Sequence, residues 1–189
     1  MIKNTVILFI LFTFPAFAAD DQVCPLKMKN IPATTPTSQF TISDDLQIVT
    51  DNKTGLMWTR CPWGYVWQEL GGCAIDSATK DAVGASDVTV PWLDALHITE
   101  LASDNGYFGI SDWRMPNIKE LTSIIERQCA SLALNQVIFG ASFDRTVLFW
   151  SNSHVLDDAE IWVADFSSGR VSSAGAANDY LFRLVKDVP

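Results

Sequence analysis

Ser111-Asp112-Trp113-Arg114-Met115-Pro116-Asn117-Ile118-Lys119-Glu120-Leu121 is the most distinctive run in the chain. Asn117 followed by Glu120 is an N-cap and capping-box pair, and Ile118, Leu121, Ile124 and Ile125 then form one apolar stripe, so a helix starts here. A bulky Trp113 and then Arg114 stand just ahead of it. That placement sends Arg114 into the fold, where its planar fork pairs with a carboxylate or with several backbone carbonyls. Arg183, in an otherwise apolar terminal strand, invites the same reading. Asp112, Trp113, Arg114, Asn117, Glu120 and Arg183 are therefore assigned structural roles, with ion pairing preferred to an anion site.

Upstream, Pro91 suits a helix start, and Trp92, Leu96, Thr99 and Ala102 recur at helical spacing until Asn105-Gly106 ends the run. Residues 40–60 alternate around Asp51-Asn52-Lys53-Thr54-Gly55, a β-hairpin. Residues 61–88 carry little regular pattern and read as a disulfide-bridged loop, while 132–144 read as a loop with apolar anchors. Downstream, the chain is β: 147–155, 161–166, a turn at 167–170, 171–174 and 180–185. Strands, two helices and strands again make an α+β domain with one mainly antiparallel sheet and long loops.

The ends differ from this middle. Lys3, the apolar run from Val6 to Phe14 and the small residues of Ala16-Phe17-Ala18 have the pattern of a signal peptide over residues 1–18. The run is well short of the ~20 residues a spanning helix needs. An extended Pro-, Thr- and Ser-rich surface arm at 19–39 and a domain at 40–189 follow. Cleavage would leave 171 of the 189 residues, with 12 basic and 22 acidic side chains, a net charge of −10.

An exported chain with four cysteines implies two disulfides. Cys61 and Cys73 share one short loop, so spacing favours that bridge and leaves Cys24 with Cys129. With no Cys-x-x-Cys pair, structural zinc is not expected. The acidic balance argues against nucleic acid and against a polybasic membrane patch.

Chemistry is sparse. His97 falls on the first helix as a packed or boundary residue. His154 has hydroxyl neighbours, but adjacent strand residues face opposite ways, so Ser153 and His154 cannot face each other without a bulge. No nucleophile elbow, metalloprotease helix or phosphate loop is present, and the chain is not expected to be an enzyme. Asp44-Asp45, Asp51 and Asp157-Asp158 lie in turns that could reach calcium, though none has EF-hand spacing. Solvated turn residues are preferred, and no cofactor or metal is expected.

Thr50-Asp51-Asn52-Lys53-Thr54-Gly55-Leu56-Met57-Trp58, the run 111–121, Phe149-Trp150-Ser151-Asn152-Ser153 and Phe182-Arg183-Leu184-Val185 together resemble, in order, the signatures of the Lcl C-terminal domain family. The resemblance implies a C-type-lectin-like fold, distantly similar to the sulfatase-modifying-factor domain. It also implies a binding role, since the family's collagen-like adhesin is implicated in attachment to sulfated glycosaminoglycans. This chain has no Gly-X-Y stalk and lacks the calcium- and sugar-holding motifs of true C-type lectins.

The expected function is a secreted or periplasmic binding module for an extracellular glycan or surface protein, with an adhesion-type role. In this fold the C-terminal half usually carries the ligand surface, which here offers Trp150, Asn152, His154, Asp165, Arg170, Asn178 and Tyr180. The alternative is a structural or accessory subunit with no small ligand, marked by an apolar patch around Trp63, Tyr65 and Trp67. Net negative charge predicts weak or no binding to heparin-like polymers at physiological salt.

Overall fold

A computed structural model of the protein describes residues 24, 26–68, 71–76, 78, 88–140, 148–156 and 159–188. The signal-peptide assignment at 1–18, the start of the arm and Asp157-Asp158 lie outside them.

The described chain is α+β, with antiparallel strand pairing throughout its sheets. The first sheet joins β1 (Phe40–Ile42), β2 (Ile48–Asp51), β3 (Leu56–Thr59) and the C-terminal β9 (Val185–Asp187), in the order β1-β2-β3-β9. A small hairpin pairs β4 (Tyr65–Trp67) with β5 (Cys73–Ile75). The third sheet has the order β6 (Leu148–His154), β7 (Glu160–Asp165), β8 (Arg170–Gly175). Between the sheets lie helices α1 (Trp92–Asp104), α2 (Ile118–Ser123) and α3 (Gln136–Phe139).

Local chemistry explains the boundaries. The β2–β3 turn closes on the buried Asp51 carboxylate, which accepts from the Lys53 N–H (2.9 Å), the Thr54 hydroxyl (2.8 Å) and Gln39 Nε2 (2.7 Å). Asn117 caps α2, accepting from Glu120 N–H at 3.0 Å, while the Glu120 carboxylate accepts from Asn117 N–H at 2.8 Å. Asn135 caps α3, and Gly140 ends it at φ 73°, where a Cβ would lie 2.9 Å from Cys73 Sγ.

Two cores result, and alternation along the strands fills both. Val49, Phe149, Leu181 and Val185 enter the first core; their neighbours Ile48, Trp150, Phe182 and Leu184 enter the second. The first core lies against α2 and α3, and the second takes the buried face of α1 (Trp92, Ala95, Ile98, Ala102).

Several expectations need correction. Among the described residues there are three α-helices rather than two, because the anchors in 132–144 include α3. The strands form three sheets, and the terminal strand is short and joins the first sheet, not its sequence neighbours β6–β8. Residues 65–67 and 73–75 form a hairpin within the segment read as a loop. His97 is exposed on the outer face of α1.

Both expected disulfides are present, with Cα separations of 5.6 Å for Cys61–Cys73 and 5.2 Å for Cys24–Cys129. The arm is more than a surface strip. The backbone N–H groups of Thr34, Thr35 and Gln128 and the Thr35 hydroxyl all donate to the buried Glu126 carboxylate at 2.7–3.0 Å, and Thr35 is itself buried.

Candidate functional site

The sheet β6–β8 supplies the candidate surface, and a bulge shapes it. Trp150 is in register with Val163 and His154 with Ile161, so β6 advances four residues while β7 advances two. The extra residues are held by hydrogen bonds. Ser151 Oγ donates to the Trp162 carbonyl (2.6 Å), Asn152 N–H to the Pro116 carbonyl (2.7 Å), and Ile118 N–H to Ser153 Oγ (3.0 Å). The sheet is thereby tied to the start of α2.

The seven candidate residues do not converge. Trp150 is fully buried, with its indole N–H donating to the Val90 carbonyl at 2.8 Å, so it is a core residue. Tyr180 is half-buried and packs on that indole, centroid to centroid 4.8 Å. Asp165 works within the β7–β8 turn, accepting from Ser167 N–H (2.8 Å) and from the hydroxyls of Ser167 and Ser168 (2.5 and 2.6 Å). Partial burial pushes its carboxyl up, but the hydrogen bonds from Ser167 and Ser168 outweigh that and hold it below the usual aspartate range. Arg170 is exposed and in register with Asp165, four residues along β7 from the partner of His154, roughly 13 Å along the strand at about 3.3 Å per residue.

Asn152, His154 and Asn178 are exposed. Asn178 lies toward the end of the sheet that also presents Glu160, half-buried Trp162 and Ser173, whereas His154, in register with Ile161, lies on the opposite face there. Trp162 and Ser173 are in register, and the Ser173 hydroxyl donates to Glu160 Oε2. Glu160 is absent from the sequence-derived set; its only signal was its position just ahead of an alternating strand.

The bulge does exist beside Ser153 and His154, yet it builds no dyad. The Ser153 hydroxyl accepts from α2, and the His154 ring stands edge-on to Trp92 at 4.8 Å. Among the described residues His154 makes no hydrogen bond to a Ser, Asp or Glu, and no three His, Cys, Asp or Glu side chains gather as a metal site.

Of the residues assigned structural roles, Arg114 does not enter the fold. Its guanidinium forms a bidentate pair with Glu120, both contacts 2.8 Å, and reaches Asp187 at 3.2 Å, at the surface rather than inside. The Glu120 hydrogen bond, against partial desolvation, raises its pKa. Trp113 is buried and donates to the Tyr107 carbonyl at 2.8 Å, while Asp112 pairs with Lys186 at 3.2 Å. Arg183 is fully buried and donates to the Thr59 and Arg60 carbonyls; no carboxylate pairs with it among the described residues. Burial lowers its pKa to about 9.

The loop aromatics are packed. Trp63 stacks on Phe182 at 5.9 Å and lies 4.9 Å from Tyr107, and Trp67 carries the Arg60 guanidinium 3.2 Å over its ring. A cavity of about 310 Å³ lies between the arm, Cys129 and the β7–β8 turn, with Met28, Ile31, Ile125, Arg127 and Ala133 among its walls. None of the seven candidates lines it.

Among the described residues no helix is long and apolar enough to cross a membrane. The two disulfides suggest an oxidising or extracellular compartment. No curated protein and no solved structure matches the chain. The family model of the Lcl C-terminal domain matches residues 47–186, from the strand that begins the central hairpin to the terminal strand beside it. With its β2–β3 turn, capped α2, β6 bulge and buried Arg183 all inside that span, the chain belongs to the Lcl C-terminal domain family.

Proposed function

We propose that the chain is exported through its N-terminal signal peptide and acts, in the periplasm or outside the cell, as a non-enzymatic binding module of C-type-lectin-like fold. Its ligand is a glycan or protein at the cell surface, in an adhesion-type role. One observation carries this reading: at the end of the β6–β8 sheet half-exposed Trp162 shares a face with Ser173 and Glu160, beside exposed Asn178. An aromatic face with hydroxyl, amide and carboxylate groups around it suits sugars and protein surfaces alike. No cofactor is invoked. An array of glycans and surface proteins, probed with the oxidised chain, tests the reading; retention of one defined glycan or protein class supports it, and a blank array counts against it.

A second reading, an accessory subunit of a surface or periplasmic assembly, is favoured by α1. Leu93 is 67% exposed and Leu101 43% exposed, with His97 midway, all on one helical face at four-residue spacing. Under this reading a Leu93→Ser, Leu101→Ser variant folds normally and loses its assembly partner, while ligand retention on the array is unaffected.

A further inference from the structure

Arg183 is an unusual buried cation. Its Nη1 donates to the carbonyls of Thr59 and Arg60, but Nε and Nη2 have no hydrogen-bond partner, and the residue is 0% exposed. Nε–H and the adjacent Nη2–H form the parallel edge with which a guanidinium grips an oxyanion or a halide. The Phe139 and Phe149 rings lie 4.8 and 5.7 Å from Cζ. A ring facing the guanidinium takes up part of its charge and leaves its in-plane donors unpaired.

The strand register places more donors on the same side. Trp58 pairs with Val185, and Thr59 N–H donates to the Leu184 carbonyl at 3.0 Å, so Arg60 lies across from Arg183. Alternation then puts Trp58, Arg60, Arg183 and Val185 on one face of the first sheet, toward the first core. Trp58 Nε1, also buried, has no partner. Arg60 donates to the Ile138 (2.6 Å) and Val137 (2.8 Å) carbonyls, and among the described residues no carboxylate pairs with it. Two guanidiniums thus oppose each other in register, without an acid between them among the described residues. Like charges in that position repel, and a buried charge without a counter-ion is costly.

Of the buried atoms without a partner, Arg183 Nε and Nη2 and Trp58 Nε1 are all donors only. A water there would accept their hydrogen bonds but bring no charge, and its own protons would need acceptors. An anion needs none and neutralises one guanidinium. We propose that the Nε–Nη2 edge of Arg183, on the same sheet face as the Trp58 indole N–H, binds a small buried monovalent anion, chloride under ordinary solution conditions.

Crystals of the oxidised chain grown in sodium bromide give the direct test, because bromide scatters anomalously. The expected result is a bromide peak within hydrogen-bond reach of Arg183 Nε and Nη2. Density for water alone at that edge, or for a protein side chain packed against it, overturns the proposal. Melting curves add a solution readout: in chloride against gluconate at equal ionic strength, the wild type should gain about 3 °C or more. In Arg183→Met, whose side chain is apolar and of similar length, that chloride-specific gain should vanish. An equal gain in both proteins would overturn the assignment. If the variant does not fold, the bromide experiment on the wild type still decides.

Discussion

Glu126 shows how much one side chain can decide. It is fully buried in a cage of arm donors, and although burial pushes its carboxyl up, the hydrogen bonds from Thr34, Gln128 and Thr35 hold it below the usual value of 4.5. A carboxyl depressed in the folded state stabilises the fold above its unfolded pKa, and that contribution fades as pH falls through the lower folded value. Stability should therefore drop on acidification below about pH 4.5, and Glu126→Gln should flatten that part of the profile. The variant should cost about 2 kcal/mol, since a buried charged acceptor with several donors is lost. Cleavage within residues 26–39 under limited proteolysis, faster in the variant, is the check; unchanged cleavage would contradict the anchoring role. Nothing in the sequence announced Glu126, because its arm donors, Thr34 and Thr35, lie more than 90 positions away. Arg183 was legible as buried, whereas its lack of a carboxylate needed the fold.

Among elements, those with their own chemical punctuation could be read in advance. The Asp51–Gly55 turn, the Pro91 start and Asn105-Gly106 end of α1, and the Asn117–Glu120 box all stand where the residues place them. The β4–β5 hairpin and α3 could not be read, because elements of three and four residues show no period. The bulge in β6 was equally hidden, and it fixes which side chains of 150–154 face outward. Hence Trp150 proved to be core and Trp162 the half-exposed ring. At this scale Glu120 has two jobs, closing the α2 box and pairing with Arg114. Glu120→Ala should cost about 1–2 kcal/mol. Arg114→Ala, which leaves the box intact, should cost less, since an ion pair open to solvent is worth little. Melting temperatures of the two variants measure the difference, and equal losses would refute the double role.

For the whole molecule, the match over residues 47–186 shows an Lcl C-terminal domain, here with two disulfides and two cores on either side of the third sheet. The formal charge of −9 sets the long-range field, and Arg170 stands apart on β8 rather than in a cationic patch with its sheet neighbours. Elution from a heparin column should therefore occur below physiological salt; tight, salt-sensitive retention would contradict this. The binding reading itself rests on the Trp162 end of the β6–β8 sheet. The most direct measurement is a titration of the array-selected glycan or protein against the wild type and Trp162→Ala, with melting curves confirming that both are folded. At least a tenfold loss of affinity in the variant is predicted, as for removal of a ~1.4 kcal/mol aromatic contact, and an unchanged affinity would contradict it.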